Sequence, residues 1–238
     1  LIAGGELGNI TKIIAEYSQG WLFENPTSDN KQANWRLDPK RAGVSCCMGD
    51  IGVHAANLAE FMSGLEITKM CADLEPVVEG RQLDDDGNVL LRFSNGAKGV
   101  LIASQICVGE ENNLNIRIYG TKASLEWCQQ EPNTLTIKYN DKPTKVIRTG
   151  VGSFSPAAAA SMRTPAGHPE GYLEAFANIY VDFAKQIRAF GDPIASADLV
   201  SVAPGIDEAI RGMAFIENCV AASRTELKWL DFKLSEVL

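Results

Sequence analysis

Histidine is scarce in this sequence: only His54 and His168 occur among 238 residues, and the six cysteines form neither a Cys-x-x-Cys pair nor a Cys/His cluster. That excludes a zinc site of ordinary ligand spacing, so no metal is expected. Cys46 and Cys47, adjacent in a run of small residues, read as compact packed thiols and not as a redox pair. No apolar run approaches the roughly 20 residues of a membrane span, and the first residues lack the charged-then-apolar layout of a signal peptide. No membrane partner is expected, and the cytoplasm is the expected compartment. Basic residues are outnumbered, 22 against 30 acidic, for a net charge of −8. Polyanions select basic surfaces, so nucleic acid is excluded as a partner. A phosphate-cradling glycine loop is also missing. Gly4-Gly5-Glu6-Leu7-Gly8 leads into a strand, and Gly150-Val151-Gly152-Ser153-Phe154-Ser155 lacks a third glycine and runs into Pro156. Neither has the strand–turn–helix context that dinucleotide binding requires. Asp84-Asp85-Asp86-Gly87 lacks the later ligands of a calcium loop and reads as a solvated turn.

What is present is an ordinary globular composition, 45% hydrophobic and 22% charged with a mean hydropathy of −0.06, enough to bury a core within one domain spanning 1–238. Ile10 to Tyr17 is a strand by its β-branched and aromatic content. Phe23 to Arg41, polar and holding Pro26 and Pro39, is expected to be a long surface loop. Glu66 to Val78 alternates as a strand. Asn88 to Ser94 and Ala97 to Cys107 flank Asn95-Gly96, a strong hairpin signal. Further short strands are expected at Leu114 to Tyr119, Ser124 to Trp127, Thr134 to Tyr139 and Lys145 to Arg148. After a small-residue crossing segment from Val151 to Gly167, His168-Pro169-Glu170 is placed to open a helix. Tyr172, Phe176, Ile179, Phe183, Ile187 and Phe190 follow at helical spacing as an expected core stripe, stopped by Gly191-Asp192-Pro193. A last helix near Pro204 carries Ile206, Ile210, Met213, Ile216 and Val220. The order predicts an α+β fold: a large, mostly antiparallel open sheet with helices on one face.

The chemistry concentrates between Arg41 and Gly64. Asp50 and His54 stand four apart, which on an α-helix puts their Cβ atoms about 5–6 Å apart on one face, where a carboxylate can orient an imidazole. Asn57 extends the stripe. The remaining positions are apolar nearly all round, so the helix is expected to be largely buried, and Gly43 to Gly49 holds only small or flexible side chains that let a ligand approach the backbone. The bland alternative is a satisfied polar pair that only fixes the helix. Trp35-Arg36 joins a flat apolar face to a fork of donors suited to gripping a sugar or carboxylate.

Gly49-Asp50-Ile51-Gly52-Val53-His54 with Asn57-Leu58-Ala59-Glu60-Phe61 and Gly64 resembles the second signature of the glucose-fructose oxidoreductase, inositol dehydrogenase and rhizopine-catabolism (Gfo/Idh/MocA) family. Trp35-Arg36 before the Asp, Tyr119-Gly120-Thr121-Lys122, His168-Pro169-Glu170-Gly171 and Arg211-Gly212-Met213-Ala214-Phe215-Ile216 match in the same order. Ser45-Cys46-Cys47 departs from the glycine run of many relatives. The resemblance implies the family's C-terminal substrate and oligomerisation domain, without the N-terminal Rossmann domain and its Glu-Lys-Pro motif. It implies an NAD(P)-dependent dehydrogenase of a sugar or cyclitol CH–OH group. His54 would be the general acid/base and Asp50 its partner, with Trp35, Arg36, Asn57 and His168 around a small neutral polyol. NAD or NADP would be held mainly by the missing domain, so the isolated chain is expected to be inactive and to bind no cofactor. A homo-oligomer through the free sheet face is expected. The alternative is a non-catalytic binding or oligomerisation scaffold without a cofactor domain.

Overall fold

The strand Ile10–Ser18 (β1) is first in sequence but central in space. The computed structural model describes residues 1–192 and 203–234. With β2 (Ile67–Glu75), β3 (Asp86–Phe93), β4 (Lys98–Ser104), β5 (Asn113–Gly120), β6 (Ser124–Cys128), β7 (Thr134–Lys138), β8 (Lys145–Arg148) and β9 (Leu230–Asp231), it forms a nine-stranded sheet. The strand order is β8-β7-β6-β5-β1-β4-β3-β2-β9. Every neighbouring pair is antiparallel except β1 with β4. The turn between β3 and β4 follows from its sequence. Gly96 sits at φ +85°, which glycine adopts without a Cβ penalty, and the Asn95 amide donates to Ile10 O at 2.9 Å, tying the hairpin to β1.

One sheet face carries α3 (Val53–Ser63) and the last helix, here α6 (Ile206–Ser223). Ile13, Ala15 and Tyr17 of β1, Leu101 and Ala103 of β4, and Ile116 and Ile118 of β5 are buried against Ala55, Ala56, Ala59, Phe215 and Cys219 of the helices. Each large aliphatic side chain so enclosed stabilises by about 1.5–3 kcal/mol. The alanines of α3 let its backbone lie close to the strands, which sets the depth of everything that helix carries. The α+β architecture expected from the sequence is therefore observed. Among the described residues no helix is long and apolar enough to cross a membrane, and no group of three or more His, Cys, Asp or Glu side chains could hold a metal ion.

Three expectations are corrected. The expected loop from Phe23 to Arg41 contains two short helices, α1 (Lys31–Arg36) and α2 (Pro39–Ala42), started by the side chains of Asn30 and Asp38, which accept from Ala33 N at 3.1 Å and Lys40 N at 3.0 Å. The helix expected from His168 begins instead at Tyr172; it is α5 (Tyr172–Ala189), after the short α4 (Pro156–Ser161). The Glu174 carboxylate accepts from Gly171 N at 2.9 Å and sets that start. Pro193 of the expected stop lies outside the described residues. The aromatic stripe of α5 is not core: Tyr172 is 73% exposed, Phe183 58% and Phe190 90%. Helical periodicity marks an apolar face but not its cover, and among the described residues nothing closes over this one.

Candidate functional site

Asp50 does not lie on an α-helix. Met48–Gly52 winds as a π turn that leads directly into α3, and its wider i→i+5 closure takes Asp50 off the stripe that holds His54. No hydrogen bond joins the two side chains. Asp50 Oδ2 instead accepts from Arg36 Nε at 2.9 Å and from Gln105 Nε2 at 2.8 Å. Its Oδ1 has no hydrogen-bond partner among the described residues, and the side chain is 23% exposed. Arg36, expected to grip a ligand, grips Asp50. Its Nη1 is used on Gln32, backbone O at 3.0 Å and Oε1 at 2.9 Å, while its guanidinium lies 4.5 Å from the Trp35 ring centre and 5.7 Å from that of Trp21. Cation–π contact and a charge-assisted hydrogen bond thus hold one carboxylate in one orientation.

The support beneath Asp50 corrects another expectation. Asp84 and Asp85 are buried, not solvated. The Asp84 carboxylate accepts from Ser45 Oγ at 3.0 Å, Cys46 N at 3.0 Å and Met48 N at 2.8 Å, and so caps the entry to the π turn. Asp85 accepts from Val77 N at 2.8 Å, Val78 N at 3.0 Å and Arg81 Nη1 at 2.8 Å. Arg81 in turn donates to Leu22 O and to Glu24 O, pinning the segment that bears Trp21. Gln105, fully buried, donates to Asp50 and accepts at Oε1 from Cys46 Sγ at 3.5 Å, which fixes which way its amide points. Burial, then the Asp84 and Asp50 carboxylates, push the Cys46 thiol up to about 12. Burial pushes Cys47 up as well, again with Asp84 next in effect. Both are therefore neutral thiols that pack. Asp84 and Gln105 were missed from sequence. An acidic triplet following Arg81 at i,i+4 spacing was the available signal for Asp85; Gln105 has none.

His54 is exposed, contrary to the expected buried helix, and so is Asn57. The Tyr17 ring meets the imidazole edge-on at 6.3 Å between centroids. Tyr17 Oη donates to Asn112 Oδ1 at 2.5 Å. His54 lies where two cavities meet. The larger, about 840 Å³, runs from Tyr17, His54 and Asn112 past Trp127 to the segment from Phe154 to Phe176. The smaller, about 620 Å³, lies between α3 and α6 and includes Gly49, Val53 and Asn57. Trp35, half-buried, stacks under Arg36 and lines neither cavity. His168 is not brought to this site. It is exposed, its Nδ1 3.3 Å from both Pro165 O and Ala166 O in its own turn, and it is absent from the cavity wall to which Glu170 and Gly171 belong.

A dinucleotide's pyrophosphate needs amides at a helix N-terminus. The two glycine runs singled out in the sequence do not offer them, since Gly8 precedes β1, and Gly150 and Gly152 precede only the six-residue α4; at Gly171 and Gly205, which do begin long helices, Glu174 and Glu208 already take the glycine amide. The residues beside His54 fit a flat ring edge better. Gly49, half-buried, has no atom nearer than 3.7 Å to where a Cβ would stand.

The profile of the GFO/IDH/MocA C-terminal domain matches residues 1–126. Over 236 residues the chain is 33% identical to the uncharacterized oxidoreductase YfiI of Bacillus subtilis (strain 168), covering 98% of this chain and 60% of that protein. Its fold matches an oxidoreductase from Sinorhizobium meliloti with a TM-score of 0.81 at 42% identity, over 96% of this chain and 59% of that one. It matches an inositol dehydrogenase homologue from Azotobacter vinelandii, solved with NADH and myo-inositol, with a TM-score of 0.87 at 31% identity, over 97% and 59%. The chain spans about 60% of the length of the curated relatives it matches. The signature around Asp50 and His54, the single-faced sheet and these matches agree: the chain belongs to the GFO/IDH/MocA family of oxidoreductases, whose C-terminal domain it carries.

Proposed function

We propose that this chain is the catalytic and substrate-binding part of a two-domain NAD(P)-dependent dehydrogenase that oxidises a CH–OH group of a small neutral sugar or cyclitol. The observation that carries this reading is His54, an exposed imidazole at the meeting point of two cavities, next along the helix to a carboxylate held by two donors. The relative solved with NADH and myo-inositol supports the substrate class and the cofactor, and the remaining length of the relatives leaves room for a dinucleotide-binding unit.

In this mechanism the nicotinamide, when bound, supplies the hydride acceptor. His54 takes the hydroxyl proton as the C–H bond gives up its hydride and the C–O bond becomes a carbonyl; the reverse reaction returns both. The Tyr17 ring packs against the imidazole edge and steadies its orientation. Asp50 acts otherwise than as an orienter of His54: it lines neither cavity, Arg36 and Gln105 hold its Oδ2, and its partly exposed Oδ1 is the acceptor left for a substrate hydroxyl. Asn57 lines the smaller cavity beside the imidazole. His54→Ala in the complete protein is expected to lower kcat by about 10²–10⁴-fold across a polyol screen with either NAD or NADP. Unchanged turnover would return the chain to the scaffold reading.

A further inference from the structure

The larger cavity is divided in character. Around His54 its side chains are polar. Tyr17 and Gln19 both donate to Asn112 Oδ1, at 2.5 and 2.7 Å, which leaves the Asn112 amide nitrogen with no partner among the described residues. Gln129 Nε2 donates to Asn112 O at 3.3 Å and closes that side. These are groups that read hydroxyls.

The opposite wall uses most of its polar atoms in holding itself together. Asn133 donates to Glu170 O at 2.7 Å and accepts from Glu170 N at 3.2 Å. Asn178 accepts from Arg163 Nε at 2.9 Å and donates to Ser161 O at 2.8 Å. The Glu174 carboxylate is taken by Gly171 N, and Glu170 Oε1 by Arg163 N and Thr164 N. Trp127 spends its only polar atom on Pro132 O at 3.0 Å. The large side chains this wall presents are apolar, Phe154, Met162, the Trp127 ring, and Tyr172 and Phe176, whose rings pair at 4.7 Å, while Glu170 Oε2, Glu174 Oε1 and the Tyr172 hydroxyl have no hydrogen-bond partner among the described residues. Among the described residues no lysine or arginine lines the cavity. Its volume of about 840 Å³ lies high in the range of about 300–1,000 Å³ that encloses drug-sized ligands, more room than a single polyol ring fills.

We propose that the substrate is a glycoside, a ring polyol bearing an uncharged apolar substituent, with the ring at the polar end by His54 and the substituent against Phe154, Tyr172 and Phe176. This rests on the dehydrogenase reading for its chemistry but not for its binding. Aromatic walls stack on flat apolar groups, and among the described residues the cavity offers no lysine or arginine to pair with a sugar phosphate or uronic acid.

Titration calorimetry on the complete protein with phenyl and methyl glycosides of the same hexose, for the gluco, galacto and manno series, tests it. The phenyl glycoside of at least one series is expected to bind about tenfold more tightly than its methyl partner, or better. Phe176→Ala should erase that difference and Phe176→Leu should retain most of it. Equal or undetectable binding of both glycosides in every series overturns the inference, as does a preference that survives Phe176→Ala. Turnover assays separate the two readings. Oxidation of polyols without a phenyl preference sinks this inference alone, whereas a phenyl preference without oxidation of any polyol sinks the dehydrogenase chemistry and leaves the binding site.

Discussion

Asp84 is a surface-type residue used as an internal cap. Its two oxygens serve Ser45 Oγ, Cys46 N and Met48 N, so Asp84→Ala would strand two buried amide donors and a hydroxyl. An orphaned buried donor costs about 1–3 kcal/mol, and the substitution is expected to cost at least about 3 kcal/mol, read as a fall in the urea midpoint at unchanged m-value; a loss below about 1 kcal/mol would show that water replaces the cap. The sequence made Asp50, His54 and Arg36 legible as a set because the chemistry of a carboxylate, an imidazole and a guanidinium is written in residue type. It did not show who faces whom. Arg36 turning to Asp50 and not to a ligand, and Gln105 reaching the same oxygen across 55 residues, are long-range pairings that no local pattern encodes. Asp84 misled for the same reason: an acidic triplet before a glycine looks solvated until the donors that surround it are known.

At the level of elements, patterns with a local cause were readable and those with a tertiary cause were not. The Asn95-Gly96 hairpin and the presence of α3, α5 and α6 follow from turn chemistry and 3.6-residue spacing, though not the starts of α3 and α5. The π turn does not, because its extra residue is accommodated by packing. Gly52 shows how: a Cβ there would stand 2.1 Å from Met48 Sδ, so the buried Met48 side chain fills the space that a larger residue would need. The exposure of the α5 stripe was equally invisible, since spacing defines a face and not its neighbour. The joint between α3, α6 and β2 is a bidentate pair. Arg211 Nε and Nη2 donate to Glu60 Oε2 and Oε1 at 2.6 Å each, Arg211 Nη2 reaches Ile67 O at 3.0 Å, and Ile67 N returns to Glu60 Oε1 at 2.6 Å. The Glu60 hydrogen bond, opposed by partial burial, raises the Arg211 pKa above its already high ordinary value, so the guanidinium stays charged. Arg211→Ala is expected to destabilise by about 1.5–3 kcal/mol, the worth of hydrogen bonds to a charged group, measured by thermal unfolding; an unchanged Tm would show that packing alone holds the joint.

Across the whole molecule the sheet has a second face that no described helix covers. Ile14, Val100 and Leu90 stand in cross-strand register on it, with Arg117 beside Ile14 paired to Glu16 at 3.1 Å. We expect another copy to cover this face, most simply about a two-fold axis. Light scattering of the complete protein at micromolar concentration should give a multiple of the protomer mass, and Val100→Glu should return it to the protomer; a monomeric unsubstituted protein would refute the interface. The place of β1 in that sheet has a further consequence, for the order in which the molecule can be made. Of the strands in this sheet β1 is made first, yet its two partners are β4, where Lys12 meets Lys98, and β5, where Ile13 meets Ile118. The β3–β4 and β5–β6 hairpins need only their own turns, whereas β1 must wait for both and then insert between them, closing long loops that only the pairing of β2 with β9, Lys69 to Asp231, exceeds. Until that moment the nascent chain carries an apolar strand with two bare edges. The central strand is therefore exposed from its own synthesis until β5 has emerged, and only the short edge strand β9 joins the sheet from further along the chain.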